Sequence, residues 1–199
     1  ASITSEELAE YKKASEYGKA YQRALEWVLV RPRSVRELRE YLRRRRKLSE
    51  AKERKDGWQK EKEIADMIAK GEDEVAARMK KKMARSGKRE KYDFDELIVQ
   101  RLCEKGYVDD ERFAEYYVEN RFVKKGISKK RLRMELVKKG IEQNIIDVVL
   151  DGRDDTEEIL KMIAKKRAKY DDEKLTQYLC RQGFDYQLVR TLVRTYEKD

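Results

Sequence analysis

Apolar residues between positions 106 and 150 recur at helical spacing in three short, separate groups. The groups are Phe113, Ala114, Tyr117 and Val118; Leu132, Leu136 and Val137; and Ile145, Ile146, Val149 and Leu150. Residues three or four apart share one face of an α-helix, so each group predicts a short amphipathic helix. Helices of this length are marginal in water without tertiary packing. The pattern therefore predicts a three-helix unit whose apolar faces pack on each other or on neighbouring helices.

Residues that start and stop helices flank these groups. Asp109 or Asp110 can cap the first helix and Ser128 the second, because their side-chain oxygens accept the free amide hydrogens of a first turn. Gly126 and Gly140 follow the first and second groups, and glycine ends helices at little cost in the left-handed conformation. The predicted helix boundaries therefore follow from capping as well as from periodicity.

The second of these helices has counterparts elsewhere in the chain. Its residues follow a fixed order, which recurs downstream: a leucine pair four residues apart, a polar couple, a glycine and an apolar residue. The leucine pair also recurs upstream. The members are Leu132, Leu136, Gly140 and Ile141; then Leu175, Leu179, Gly183 and Phe184; and upstream Leu38 and Leu42. Coincidence is the alternative, since such leucine pairs are common in helices. We favour repeats because the glycine and the apolar residue recur in register, and stacked units of this kind form an array.

The repeats predict an all-α protein of three tandem three-helix repeats that form an elongated, curved array. Residues 1–108 would hold the N-terminal helix and the first repeat, residues 109–152 the second and residues 153–199 the third. Within the first of these divisions, residues from about 47 to 91 form a charged stretch outside the repeat pattern, which we call the insertion. It lacks proline and is rich in Lys, Glu, Ala and Met, which predicts helix.

Few apolar residues lie in this insertion, and its arrangement is therefore open. Two or three helical segments with breaks at Gly57 and Gly71, forming a projecting hairpin, are one interpretation. In another, Trp58 and Ile64 fold back against the array. Partial disorder, notably at Ser86–Lys91, is a third.

The composition argues for packed helices around a thin core. Of the 199 residues 45% are charged and 39% hydrophobic, with one proline and nine glycines. A slender array needs less interior per residue than one sphere does. No stretch approaches the length of a membrane span and no signal-peptide pattern opens the chain, so a soluble cytoplasmic protein is expected.

The available residue types exclude several kinds of catalytic and metal site. There is no histidine, and the two cysteines, Cys103 and Cys180, are far apart in the sequence. Zinc sites and triads built on imidazole therefore lack their ligands and bases. The cysteines are expected to be free and buried, as small apolar residues. We expect no enzymatic activity, no metal and no cofactor.

The net charge of +10 is concentrated in two blocks. Nine basic residues lie between Arg31 and Lys47 against two acidic ones, and eight lie between Lys124 and Gly140 against Glu135 alone. In a stacked array these blocks would form one stripe that attracts nucleic acid or an acidic protein groove. For any single lysine the alternative is a solvated surface position. The candidate contact residues are Arg31, Arg33, Arg36, Arg39, Arg43, Lys124, Lys125, Lys129, Lys130, Arg131 and Arg133, with Tyr116 as an exposed aromatic between them.

The third helices argue against sequence-specific reading of DNA. Base readout needs polar side chains presented to a groove, and Gln143 and Asn144 lie only at a helix start. Asp147 and Asp151 would meet phosphates with the wrong sign. Nonspecific contact with single- or double-stranded DNA is the better interpretation.

Several separate motifs, in order along the chain, resemble the RecX family of recombinase regulators. They are the Arg31–Arg39 string followed by Leu42, the Gly106–Ala114 string, Arg121 and the Arg131–Ile141 run. The resemblance covers nearly the whole chain apart from the insertion and the first dozen residues. It implies a protein that binds the RecA recombinase filament and mostly inhibits its recombination and ATPase activity, in DNA repair and SOS control.

The insertion departs from the family pattern and leaves its effect on filament binding open. The alternative function is a nonspecific DNA-binding or architectural protein that acts without a recombinase. We expect a monomer that does not associate with membranes.

Overall fold

The computed structural model describes residues 4–85, 93–124 and 126–196. Every regular element in these residues is an α-helix, as the sequence predicts. The helices are α1 (Ser5–Leu29), α2 (Val35–Ala69), α3 (Asp73–Arg85), α4 (Asp95–Glu104), α5 (Asp110–Lys124), α6 (Lys129–Lys138), α7 (Gln143–Val149), α8 (Asp155–Lys166), α9 (Asp172–Arg181) and α10 (Tyr186–Thr195). None of the described helices is both long enough and apolar enough to cross a membrane.

Contacts divide the chain into two compact units. The first unit consists of Ala1–Ala24 and Arg39–Arg101, and the second of Leu25–Leu38 and Leu102–Asp199. Helices α1 and α2 each contribute residues to both units. The division into three repeats and the elongated, curved shape stay predictions.

In the second unit, helices α5, α6 and α7 surround one core. Its buried residues are Phe113, Ala114, Ile127, Leu132, Leu136, Ile141, Ile146 and Leu150. Two of the predicted helix signals act as expected: the Oγ of Ser128 accepts the backbone N–H of Arg131 at 3.2 Å, and Gly140 follows α6 with a φ of 82°. The prediction that Val137 faces the core is wrong, since it is 51% exposed. It lies about 100° around the helix from the buried Leu136.

Helices α8, α9 and α10 surround a second core in the same unit. Its buried residues are Ile159, Met162, Ile163, Leu175, Leu179, Phe184, Val189 and Val193. The leucine pair of α9 is fully buried, as is the pair of α6. Full burial of one leucine side chain is worth roughly 2 kcal/mol. The leucine pairs of α6 and α9 therefore each anchor the core of one helix triplet.

Helix α2 continues without a break through most of the insertion, to Ala69. It runs for 35 residues and passes through Gly57, so the predicted break there is wrong. An interior glycine costs a helix only about 1 kcal/mol, which a long helix without proline tolerates. The predicted break at Gly71 is found: its φ is 76°, and the N–H of Glu72 donates to the C=O of Met67 at 3.0 Å.

The insertion therefore contains the end of α2, the turn at Gly71 and α3. Ile64 before the turn and Ala76 after it are 4% and 1% exposed, so each of the two helices buries one side. Trp58 is 65% exposed, so the interpretation in which Trp58 and Ile64 fold back together is wrong for Trp58, whereas Ile64 is buried. The predicted disorder at Ser86–Lys91 lies outside the described residues.

Neither cysteine forms a disulfide in the described residues, and both are only half-buried, in contrast to the predicted full burial. Cys103 and Cys180 each follow a fully buried leucine, Leu102 and Leu179. The next position on a helix points about 100° away, which places both thiols at the edge of a core. Burial of this partial kind raises the pKa of the Cys180 thiol.

Candidate partner-binding site

The start of α2 meets the start of α5 and the end of α6 at a contact that we call the first joint. It consists of Ser34, Val35, Asp110, Lys139 and Gly140. Ser34 is fully buried; its Oγ accepts the N–H of Glu37 at 3.1 Å and donates to the C=O of Lys139 at 2.9 Å. The N–H of Val35 donates to Oδ1 of Asp110 at 2.8 Å. Residues far apart in the sequence thus cap the first turn of α2 together.

The same arrangement recurs where the start of α6 meets the start of α8 and the end of α9. This second joint consists of Ser128, Lys129, Asp155, Gln182 and Gly183. Ser128 is fully buried, and its N–H donates to the C=O of Gln182 at 3.4 Å. The N–H of Lys129 donates to Oδ1 of Asp155 at 2.8 Å. Both joints therefore combine a serine cap with an aspartate from the next helix triplet.

Each joint requires a glycine at the end of the adjoining helix. Gly140 and Gly183 have φ values of 82° and 95°. A Cβ at Gly140 would lie 2.8 Å from Cδ of Arg36, and a Cβ at Gly183 would lie 2.6 Å from Oγ of Ser128. The recurrence of glycine after the leucine pairs thus has two causes, a left-handed backbone and a close approach.

The aspartate pairs at the joints divide their work between two helices. The Oδ1 of Asp109 accepts the N–H of Glu111 at 2.8 Å and caps α5, whereas Asp110 caps α2. In the same way Asp154 caps α8 through the N–H of Thr156, at 2.8 Å, and its neighbour caps α6. The sequence alone left open which aspartate caps, and it missed the second role. The recurring Asp-Asp dipeptide was the signal that could have found it.

Three cations surround one carboxylate beside the first joint. Glu37 is 3.2 Å from Arg31, 3.8 Å from Arg33 and 2.7 Å from Lys139. The guanidinium of Arg33 also lies over the Trp27 ring, 4.0 Å from its centroid. One carboxylate cannot neutralise three cations, so this cluster keeps a positive charge. Nothing in the sequence pattern singles out Lys139, Glu37 or Trp27 as members of this cluster.

Two of the predicted contact residues are less accessible than expected. The side chain of Arg33 is only 14% exposed, and burial lowers its pKa, with Arg31 adding to the effect. A guanidinium still keeps its proton at neutral pH. Tyr116 is half-buried rather than exposed. Charged and aromatic residues of a basic block can therefore serve the fold instead of facing a partner.

A second ion cluster, on α5 and α6, involves Arg131. Glu135 accepts two hydrogen bonds from Arg121, at 2.9 and 3.0 Å, and one from the Tyr117 hydroxyl at 2.9 Å. Arg131 approaches the same carboxylate at 3.5 Å and donates to the C=O of Arg181 at 3.0 Å. The hydrogen bonds from Arg121 lower the pKa of Glu135. Arg131 is thus tied to the protein itself.

Glu135→Gln is expected to cost about 1–2 kcal/mol at neutral pH, because charge-assisted hydrogen bonds from Arg121 are lost. The pKa of Glu135 is lowered in the folded state. Its carboxylate therefore stabilises the protein above the unfolded pKa of about 4.3 and loses this effect as pH falls through the folded pKa. Urea unfolding at several pH values should show the two proteins converging below about pH 4. A difference in the free energy of unfolding between the two proteins that does not change with pH would contradict this account.

The remaining candidates of the second basic block, and Arg36 of the first block, differ in their contacts and their exposure. Arg133 forms an ion pair with Asp147. Lys129 is half-buried and its backbone is part of the second joint. Lys130 is exposed, and no ionic partner for it is found in the described part of the chain. Arg36, at the first joint, is also exposed.

The other candidates do not belong to this site. Arg39 and Arg43 lie in the first unit, where Arg39 pairs with Glu96 at 3.0 Å and Arg43 is exposed. The side chain of Lys124 and all of Lys125 lie outside the described residues.

Helix α6 connects the two joints. The second joint lies at its start and the first joint at its end, and its ten residues span about 15 Å. Lys129 and Lys130 are at one end, and Lys139 with Arg31 and Arg36 is at the other. The arrangement therefore holds two cationic clusters at a fixed separation inside one compact unit.

The fold and these joints define a class of all-helical proteins that connect three-helix domains through capped contacts. The family model described as RecX, second three-helix domain, matches residues 109–150. A regulatory protein RecX of Chlorobium limicola is 31% identical over 124 residues, 58% of this chain and 77% of that one. The RecX of Mycobacterium sp. strain JLS is 31% identical over 137 residues, 60% of this chain and 75% of that one. The chain belongs to the RecX family of regulatory proteins.

Another relative and two solved structures agree with this assignment. The regulatory protein RecX of Chlorobium phaeobacteroides is 39% identical over 98 residues, 46% of this chain and 65% of that one. A crystal structure of regulatory protein RecX has a TM-score of 0.60 at 18% identity, over 96% of this chain and 78% of that one. The RecX structure from Lactobacillus salivarius has a TM-score of 0.58 at 18% identity, over 94% and 99%. At this identity the two structures show a shared fold.

Proposed function

We propose that this protein regulates the RecA recombinase by binding its filament through the two ends of α6. Membership of a family of regulatory proteins supports a regulatory role. The observation that carries the proposal is the pair of cationic clusters that one helix holds apart. A single basic cluster would be ordinary on a protein with a net charge of +10.

The two clusters would contact the filament together. A packed helix is stiff on this scale, so their separation of about 15 Å is fixed. A filament presents acidic groups and DNA phosphates at regular intervals, and two fixed cationic points select one spacing of such groups. Binding then changes the spacing of adjacent subunits or covers the groove in which DNA strands exchange, and nucleotide hydrolysis falls. We also propose that the protein consists of three tandem three-helix repeats and acts as a monomer.

Lys130 and Arg36 are the residues that we assign to direct contact. Each lies two positions after the buried serine of its joint, Ser128 or Ser34, and each is exposed in the first turn of its helix. Positive charge is unfavourable at a helix start, so these cations do not serve helix stability. Arg31 adds positive charge to the same surface, but its ion pair with Glu37 partly neutralises that charge.

Arg131 and Arg133 are poor positions for testing this surface. Arg131→Glu would place a second carboxylate beside Glu135, and Arg133→Glu would face Asp147. Like charges at these distances destabilise the fold. A loss of inhibition would then report unfolding as well as lost contact.

The proposed function is tested by comparing binding to three targets. Labelled protein is titrated with bare single strands, with duplex and with RecA-coated single strands, at about 50 mM and about 200 mM salt. We expect the coated strand to bind most tightly at both salt concentrations. Tighter binding to bare polymer, with a steep loss as salt rises, would contradict the proposal and favour the nonspecific DNA-binding or architectural protein instead.

A further inference from the structure

Helix α3 of the insertion carries a basic segment that the joints do not involve. Five basic residues and no acidic one lie between Arg78 and Arg85. Lys80, Lys81 and Lys82 are all exposed. The rest of the insertion mixes acidic with basic residues, so its overall charge does not reveal this segment. α3 therefore carries a concentration of positive charge, separate from the joints, that needs an explanation.

The basic side chains of α3 share its outward face. Ala76 is buried and Met79 is half-buried, so the helix packs on that side. Arg78, Lys81 and Lys82 lie on the opposite side, at positions i, i+3 and i+4. Residues at this spacing are neighbours on a helix surface. Packing on one side thus turns a run of cations into one exposed patch.

This patch is unfavourable for the isolated helix. Like charges three or four residues apart cost about 0.2–0.5 kcal/mol per pair. Arg78 approaches Glu74 only at 4.0 Å, and the described residues provide no ionic partner for Lys81 or Lys82. Attraction to the helix C-terminus acts only within the last turn, so it could account for Lys82 but not for Arg78 or Lys81. Local stability therefore does not explain the patch.

We infer that the outward face of α3 binds the phosphate backbone of nucleic acid directly, without the recombinase. Lysine is a flexible point charge that suits sequence-independent phosphate contact. Residues i, i+3 and i+4 are separated by about 4.5 and 6 Å along the helix, and phosphates of one DNA strand follow one another every 3.4 Å or so along the duplex axis. Each cation of the patch can therefore reach its own phosphate. DNA binding by α3 would anchor the regulator on DNA near a filament.

The inference is tested with Arg78→Gln/Lys81→Gln/Lys82→Gln and a control with the same net charge. The control, Lys12→Gln/Lys105→Gln/Lys165→Gln, removes three exposed lysines elsewhere. Glutamine keeps the helix propensity of lysine and arginine, so circular dichroism should match the wild type. Binding of labelled duplex, without recombinase, is measured by anisotropy over a range of salt concentrations. Polyglutamate is used as a competitor of equal charge.

The α3 variant should lose at least tenfold in duplex affinity at low salt. The slope of log affinity against log salt should fall in magnitude by about 2–3, because three phosphate contacts are lost. The control should change the affinity less than threefold. Equal losses in both variants would overturn the inference, since only net charge would then matter. Competition by polyglutamate as strong as that by DNA would also overturn it and indicate an acidic protein as the partner.

Discussion

Gly183→Ala should destabilise the protein by about 3 kcal/mol, and Gly152→Ala by only about 1 kcal/mol. Both glycines have positive φ, 95° and 66°, which is unfavourable for any residue with a Cβ. At Gly183 the added Cβ would also lie 2.6 Å from Oγ of Ser128 and 3.1 Å from Cβ of Arg131. At Gly152 no described atom outside its immediate neighbours lies within 4 Å. Free energies of urea unfolding, followed by circular dichroism, measure the difference.

A double-mutant cycle tests the cause assigned to this loss. Ser128→Ala removes the oxygen that the new methyl group would meet, at the cost of a helix cap worth about 1 kcal/mol. Gly183→Ala should therefore cost less in the Ser128→Ala background, by about 1 kcal/mol of coupling. Equal costs for Gly183→Ala and Gly152→Ala in the wild-type background would show that the second joint is not closely packed.

Local signals made the helices of the second unit predictable. Helix α6 begins after Ser128 and ends before Gly140, as expected, because a cap and a left-handed glycine act on the turn in which they lie. The leucine pairs were buried as expected because four-residue spacing fixes a helix face. These features need no knowledge of distant residues.

The extent of α2 could not be predicted from local signals. Gly140 and Gly183 lie four residues after the leucine pairs of α6 and α9. Because they have no side chain, the start of another helix can pack closely against them. The equivalent residue of α2 is Arg46, which instead pairs with Asp93 and Asp95 in the first unit. Nothing at this position requires a stop, and α2 continues to Ala69. The absence of a glycine at position 46 removes the stop that α6 and α9 have, but it does not show how far α2 continues.

The sequence located the basic blocks but not the roles of their members. Arg33 stacks on Trp27, and Arg131 approaches Glu135 and the C=O of Arg181. Lys139 became part of the candidate site only because it meets a carboxylate 102 positions away. Charge patterning predicts that a surface is basic; long-range packing decides which cations remain available to a partner.

Arg36→Glu and Lys130→Glu should each weaken binding to RecA-coated DNA about fivefold, and together about 30-fold. Reversing one charge at the edge of an interface costs about 1 kcal/mol, and sites this far apart are additive. Both substitutions place an acid in the first turn of a helix, which favours the helix. The fold should therefore survive, and anisotropy titrations with labelled DNA filaments measure the change. Lys105→Glu/Arg190→Glu, with the same net charge, should bind within about twofold of the wild type.

The most direct test of the two-ended α6 surface is the inhibition of ATP hydrolysis by RecA on single-stranded DNA. Wild-type protein, Arg36→Glu/Lys130→Glu and the Lys105→Glu/Arg190→Glu control are titrated into the same reaction. We expect the control to inhibit like the wild type. The Arg36→Glu/Lys130→Glu variant should need at least ten times more protein for half-inhibition. Equal half-inhibition concentrations for all three proteins would contradict it.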